Sequence, residues 1–271
     1  MKKYKLTDET IECFGRKLYR IEALIDFFDV KAGDKGGYVQ SEANLSQDGL
    51  CWIYNNAKVY ESADVFGCAK VFGIAEVFGN AKVLDNARVC GNAKVYGDTE
   101  VFGNAKVFDN ARVCGNAKVY GDTEVFDNAE VFDSAKVCGY AKVFDSANVF
   151  DNAKVYESAE VIGCAEVFGR AEVFGSAKVF DNAKVFGCAE VFGCAEVFEN
   201  AIITRNRDFI VFKNWWSSGR YFTWTRSNNK WKVGCFYGTG EELIKKAYAD
   251  SEESGREYER VVRYVESILA D

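Results

Sequence analysis

The chain has 271 residues, no Pro, no His, one Met, 22 Phe and a net charge of −7. Its length allows a substantial core, while its acidic balance argues against a general nucleic-acid coat. Ten Cys are spread through a chain that opens Met1-Lys2-Lys3-Tyr4 without an apolar signal segment, so they read as reduced thiols in a soluble, cytoplasmic protein.

At the N-terminus, Thr10–Phe14 and Lys17–Leu24 read as strands, and Gly36-Gly37 and Asp48-Gly49 as turns. Residues 1–38 are expected to form a β cap over the first turn of the periodic region that follows. Val39 and Leu45 are six residues apart, which sets the start of that region at residue 39.

From Val59 to Val197 a Val recurs every six residues, giving 24 hexads of the form Val-aromatic-Gly/Asp-Asn/Ser-Ala-charge. Val107-Phe108-Asp109-Asn110-Ala111-Arg112 is a typical unit. In an extended segment, Ala and the Val two residues later share one face, and the charge and aromatic share the other. Burying the charged set costs several kcal/mol for each unpaired ion, so Ala and Val point inward. The Gly or Asp followed by Asn supplies a corner, since Asn tolerates left-handed backbone and Gly has no Cβ to clash. Three corners close a triangular coil, and 24 hexads give about eight coils, a rod of roughly 40 Å at the sheet spacing of about 4.8 Å. The absence of Pro fits strands paired on both sides.

The Val-x-Asp-Asn-Ala-x pattern resembles the hexapeptide repeat of left-handed parallel β-helices. The resemblance implies an all-β solenoid over residues 39–204, and the left hand follows from it alone. The stretches Asp26–Gly33, Gly36–Val39 and Leu45–Tyr54 resemble the N-terminus of a bacterial family of acetyltransferase-like hexapeptide proteins. Acyltransferases of this class typically use a catalytic His near an extruded loop; this chain has no His, and its 24 hexads contain no insertion. Ala87–Asn110 is also nearly repeated from Ala111 onward, a shift of four hexads that moves each copied residue to another face of a three-hexad coil. A face-specific active site would not survive that shift. No enzymatic activity, metal or cofactor is therefore expected. Cys90, Cys114 and Cys138 fall on three different faces and read as small fillers at the aromatic position. Phe or Tyr follows the Val in 19 of the 24 hexads. These outward rings would stack into ladders that either shield the sheet or form a homo-oligomer interface.

After Ala201 the period stops. Asp208–Lys213, Arg220–Arg226 and Lys230–Phe236 read as three antiparallel strands, Thr239-Gly-Glu-Glu242 as a capping box opening one helix, and Ser254–Ala270 as a second helix. Residues 205–271 are thus expected to form a β3α2 domain. Its pattern Arg205-Asn206-Arg207-Asp208-Phe209 and Gly234-Cys235-Phe236-Tyr237-Gly238-Thr239 resembles a small module found in bacterial and prophage proteins. Residues 205–235 hold seven Lys or Arg against one Asp, whereas residues 53–204 hold 14 basic and 22 acidic residues. The candidate partner-binding set is Arg205, Arg207, Lys213, Trp215, Trp216, Arg220, Tyr221, Trp224, Arg226, Lys230, Trp231 and Lys232. These residues would either grip a polyanion by stacking and phosphate contact or divide into an aromatic core and a wet basic face.

The expected function is that of a non-catalytic scaffold, an oligomeric rod displaying the basic module to a protein or polyanion partner and not to a membrane. The alternative is a prophage-encoded inhibitor of a bacterial defence system, acting by nuclease blocking or nucleotide sequestration. An acyltransferase-like enzyme comes third.

Overall fold

A computed structural model describes residues 2–270. Most hexads contribute a two-residue strand made of the outward charge and the inward Val, as in Lys106–Val107 and Arg112–Val113. Each strand pairs in parallel with the one 18 residues on, so that Lys94 lies over Arg112 and Val95 over Val113. The result is a β-solenoid of about nine turns with three flat faces, one sheet per face. Face 1 carries Val59, Val77 and Val95, face 2 Val65, Val83 and Val101, and face 3 Ile53, Val71 and Val89.

Every Val from Val59 to Val197 is fully buried. Each removes apolar surface worth about 2 kcal/mol from water. The inward small position is Ala throughout, apart from Thr99 and Thr123.

The corners match the expectation for Gly and differ from it for the Asn that follows. The residue with left-handed backbone is the Gly or acidic residue itself, for example Asp109 at φ +57° and Gly115 at φ +71°. A Cβ on Gly115 would lie 2.7 Å from the backbone nitrogen of Asp133 one coil on. Asn takes the next position, where its amide donates along the rod: Asn92 Nδ2 to Asn110 Oδ1 at 3.0 Å and Asn110 to Asn128 at 3.3 Å. The amide ladder, not tolerance of left-handed backbone, is what Asn supplies here.

Outward aromatics stack flat along each face. Phe132, Phe150 and Phe168 have ring centroids 4.8 Å apart and planes within 3° of parallel. Their ring faces are covered by one another, leaving mainly edges to solvent. Cys90, Cys114 and Cys138 interrupt the ladders of faces 3, 1 and 2 respectively, one per face.

At the N-terminus, Tyr4–Cys13 and Arg16–Ala23 form an antiparallel hairpin. Strand Lys35–Val39 joins this hairpin to face 1 by pairing Val39 with Val59. Gly36 and Gly37 therefore lie within a strand, not in a turn. Their lack of side chains is steric: a Cβ on Gly36 would lie 2.5 Å from the Ile53 carbonyl oxygen, and one on Gly37 2.4 Å from Ile53 Cγ2. The first coil is irregular, since Leu45 pairs with Val65 across 20 residues. The buried Lys3 ammonium fills the gap, donating to the Asp48 and Cys51 carbonyls at 3.2 and 3.1 Å.

The C-terminal domain is an antiparallel sheet of four strands, one more than expected, with two helices on it. The strands are Phe209–Lys213, Tyr221–Thr225, Lys230–Val233 and Phe236–Gly238. The expected third strand breaks at Gly234, whose φ of +56° turns the chain back on itself. Helix α1, Gly240–Asp250, has Thr239 as N-cap, and α2 spans Glu252–Ala270.

One sheet face, with Phe222, Trp224 and Trp231, packs under the helices against Leu243, Val262 and Val265. The other docks on the last coil. There, one backbone N–H from each solenoid face meets a side-chain oxygen of the domain: Glu196 N donates to Thr223 Oγ1 at 2.9 Å, Ile202 N to Ser227 Oγ at 2.7 Å, and Glu190 N to Asn206 Oδ1 at 2.8 Å. The domain thereby caps the open end of the rod.

Candidate partner-binding surface

The structure sorts the twelve candidate residues into three groups. Trp224 and Trp231 are core, each 1% exposed, with Trp224 Nε1 donating to Asn229 Oδ1. Trp216 is half-buried with its ring edge-on to Tyr258. These three are thus removed from the contact set, because their ring faces are occupied by the domain's own side chains.

Lys230 and Lys232 lie on the sheet face that docks on the rod. Lys232 Nζ stands 4.7 Å from the centroid of the Phe198 ring and 5.8 Å from that of Phe180. Lys230 Nζ stands 6.0 Å from that of Tyr237. Their charges are directed at the domain's own junction with the rod.

The remaining seven residues are exposed and fall at opposite ends of the paired strands Phe209–Lys213 and Tyr221–Thr225. One end carries Lys213, Trp215, Arg220 and Tyr221. Trp215 is 73% exposed in the turn between the strands, and Lys213 Nζ lies 5.7 Å from the Tyr221 ring centroid. The other end carries Arg205 and Arg207 on a 3-10 turn, beside Arg226. Five-residue strands place the two clusters roughly 13 Å apart.

Charge pairing distinguishes these cations from those of the rod. Ten of the 14 Lys and Arg in residues 53–204 form an ion pair, usually with a Glu one coil away, as Lys106 Nζ does with Glu124 at 2.9 Å. Among the described residues, none of Arg205, Arg207, Lys213, Arg220, Arg226, Lys230 and Lys232 does. The one local carboxylate, Asp208, is spent on backbone: its Oδ2 accepts from Thr204 N, Thr204 Oγ1 and Arg205 N at 2.8, 2.7 and 3.0 Å. Burial pushes that carboxyl up, but these hydrogen bonds prevail and hold it below the usual range.

A second feature was not legible in the sequence. Phe28, Asp29, Tyr54, Asn55, Lys70, Phe72 and Arg88 line a cleft between an N-terminal turn and face 3. The turn and the strands that meet there are separated by tens of residues, so no spacing signals the site.

No family model matches the chain. The chain is similar to an uncharacterized acetyltransferase, YdcK, of Escherichia coli strain K12, with 41% identity over 63 residues. The match covers 20% of this chain and 19% of the relative, so the chain spans about a fifth of that relative's length. Together with the solenoid, the match fits a hexapeptide-repeat protein. It also overturns the expectation that the chain is not an enzyme, because the named relative is an acetyltransferase and points toward one. Lack of His and of an extruded loop was the ground for that expectation; it excludes one common base, not acetyl transfer. Among the described residues, no helix is long and apolar enough to cross a membrane.

Proposed function

We propose that the chain binds an anionic partner through the two cationic clusters of its C-terminal domain, with the solenoid as a rigid mount. The observation that carries this reading is the contrast in pairing. Rod cations are largely neutralised within the chain, whereas Arg205, Arg207, Lys213, Arg220 and Arg226 are exposed without a carboxylate. Uncompensated cations concentrated on an acidic chain create a local positive potential that favours an anion. Trp215 and Tyr221 add exposed rings at one cluster, which suits a partner with flat groups as well as charge.

The test uses the full chain, because the domain docks on the last coil. Binding to a single-stranded oligodeoxythymidylate and to a polyglutamate peptide is measured as salt is raised. The expected result is affinity for at least one of them that falls linearly with log salt, and a smaller slope in Arg220→Ala/Arg226→Ala. Salt-independent binding, or none, to both probes defeats the reading.

A second reading, acetyl transfer, is favoured by the similarity to the YdcK protein. With zero His in the chain, the proton acceptor would be a side chain of another type. Release of free thiol from acetyl-CoA in the presence of small amine acceptors tests it, and no release above background with a broad acceptor set counts against it.

A further inference from the structure

The cleft on face 3 is bounded by a turn in which Phe27 and Val30 exchange backbone hydrogen bonds of 3.0 and 2.9 Å. At its tip Phe28 holds φ at +47° and is 68% exposed, a left-handed backbone that an aromatic residue adopts only at a cost. The Phe28 ring faces the rod, where Lys70 Nζ lies 3.6 Å from its centroid. Lys70 Nζ is also 3.5 Å from Asp29 Oδ1, which accepts the Tyr54 hydroxyl at 2.7 Å. Lys70, Asp29 and Tyr54 therefore satisfy one another and fix the position of the turn.

Arg88 is left over. It sits in register between two further cations, Lys70 and Lys106, and forms no ion pair or side-chain hydrogen bond among the described residues. Beside it the aromatic ladder is broken, because Cys90 stands where a ring would cover Phe72. Phe72 meets Tyr54 edge-on, at 87°, and is not stacked flat. Where Cys interrupts the other two faces the preceding ring is a Tyr, Tyr96 one coil before Cys114 and Tyr120 one coil before Cys138. On face 3 that ring is Phe72, which has no hydroxyl, and a cleft of about 420 Å³ lies against it.

We propose that this cleft binds a small planar aromatic ring bearing an oxyanion. The ring would lie among Phe28, Tyr54 and Phe72, and the oxyanion on the Arg88 guanidinium, whose planar fork suits carboxylate and phosphate alike. Apolar walls with one unspent charged group are what such a ligand requires. The site is separate from the C-terminal surface and does not depend on it.

Benzoate and phenyl phosphate serve as probes for the full chain, with acetate and inorganic phosphate carrying charge without a ring, and benzyl alcohol a ring without charge. Affinities come from NMR saturation transfer and titration. Both aromatic anions are expected to bind more tightly than any control, and the tighter of the two identifies the oxyanion. Arg88→Gln should weaken them at least about tenfold, the loss that follows removal of one charge-assisted contact, and leave benzyl alcohol unaffected. Phe28→Gly should weaken every ring-bearing probe without lowering the melting temperature, because Gly relieves the left-handed backbone. Aromatic anions that bind no better than the controls overturn the proposal, as does unchanged affinity in both variants. Loss of binding in Arg220→Ala/Arg226→Ala also overturns it, since the anion would then occupy the C-terminal domain.

Discussion

Thr99 and Thr123 stand at inward positions where the other hexads have Ala, and their hydroxyls are buried without a hydrogen-bond partner. An unpaired buried hydroxyl costs about 1–3 kcal/mol, while the rest of the side chain contributes packing. Thr99→Val keeps the volume and removes the polar atom. It should raise stability by about 1 kcal/mol, seen as a higher urea midpoint at unchanged slope. A lower midpoint would show that the hydroxyl is satisfied after all. The inward register itself was readable from the sequence, because burying the alternate set would bury a charge in nearly every hexad. The place of Trp224 and Trp231 was not. Tyr221–Thr225 alternates large and small residues, with Phe222 and Trp224 on one side and Thr223 and Thr225 on the other. Alternation normally marks one wet face, and only docking on the rod buries the second.

Among the elements, the charge ladders on the rod faces respond to pH. Glu124 bridges two cations, Lys106 at 2.9 Å and Lys142 at 3.2 Å, each one coil away. The Lys106 hydrogen bond, reinforced by Lys142, holds the Glu124 carboxyl below its ordinary value of 4.5 against the opposing effect of burial. A carboxyl depressed in the folded state stabilises the fold above its unfolded pKa, and that stability is lost as pH falls through the folded value. Wild type should therefore exceed Glu124→Gln in stability by a constant margin above pH 4.5, and the margin should shrink below it. Melts from pH 7 to pH 3 measure this; a margin that does not change with pH refutes the ladder's role. The sequence placed Lys106 and Glu124 on the same face, since they are three hexads apart. It could not show that Arg88 has no such partner, because a carboxylate such as Asp29, which pairs with Lys70, comes from outside the repeat.

At the scale of the whole molecule, the two ends decide whether a rod of identical coils stays one length. Glu190, Glu196 and Ile202 each direct a backbone N–H at a side chain of the C-terminal domain. A chain ending at Thr204 would expose these donors and the strand edges around them, a template for another copy. Such a truncation is expected to polymerise end to end, with light scattering that grows with time and concentration. A truncation that stays monomeric would show that the domain is dispensable as a cap.

The internal copy gives the last prediction. Residues 87–110 are nearly repeated from Ala111, and the structure puts Cys90 on face 3 and Cys114 on face 1, so the copy advanced the chain by one full coil and one face. Little inside the rod opposes that rotation, since every face presents Ala and Val inward, apart from Thr99 and Thr123, and coil pairing depends on the 18-residue spacing. Stability in such a solenoid is a sum over neighbouring coils. Removing residues 87–110 joins Asn86 to Ala111 in phase and should leave a cooperative fold with a lower melting temperature and a shorter rod, its C-terminal domain turned onto the neighbouring face relative to the hairpin. A deletion of odd length would put Lys and Glu inward and should prevent folding. Circular dichroism melts and small-angle scattering of the two deletions decide the matter. If both unfold, the coils are less interchangeable than their sequence implies; if both fold, register is not set by burial of Ala and Val.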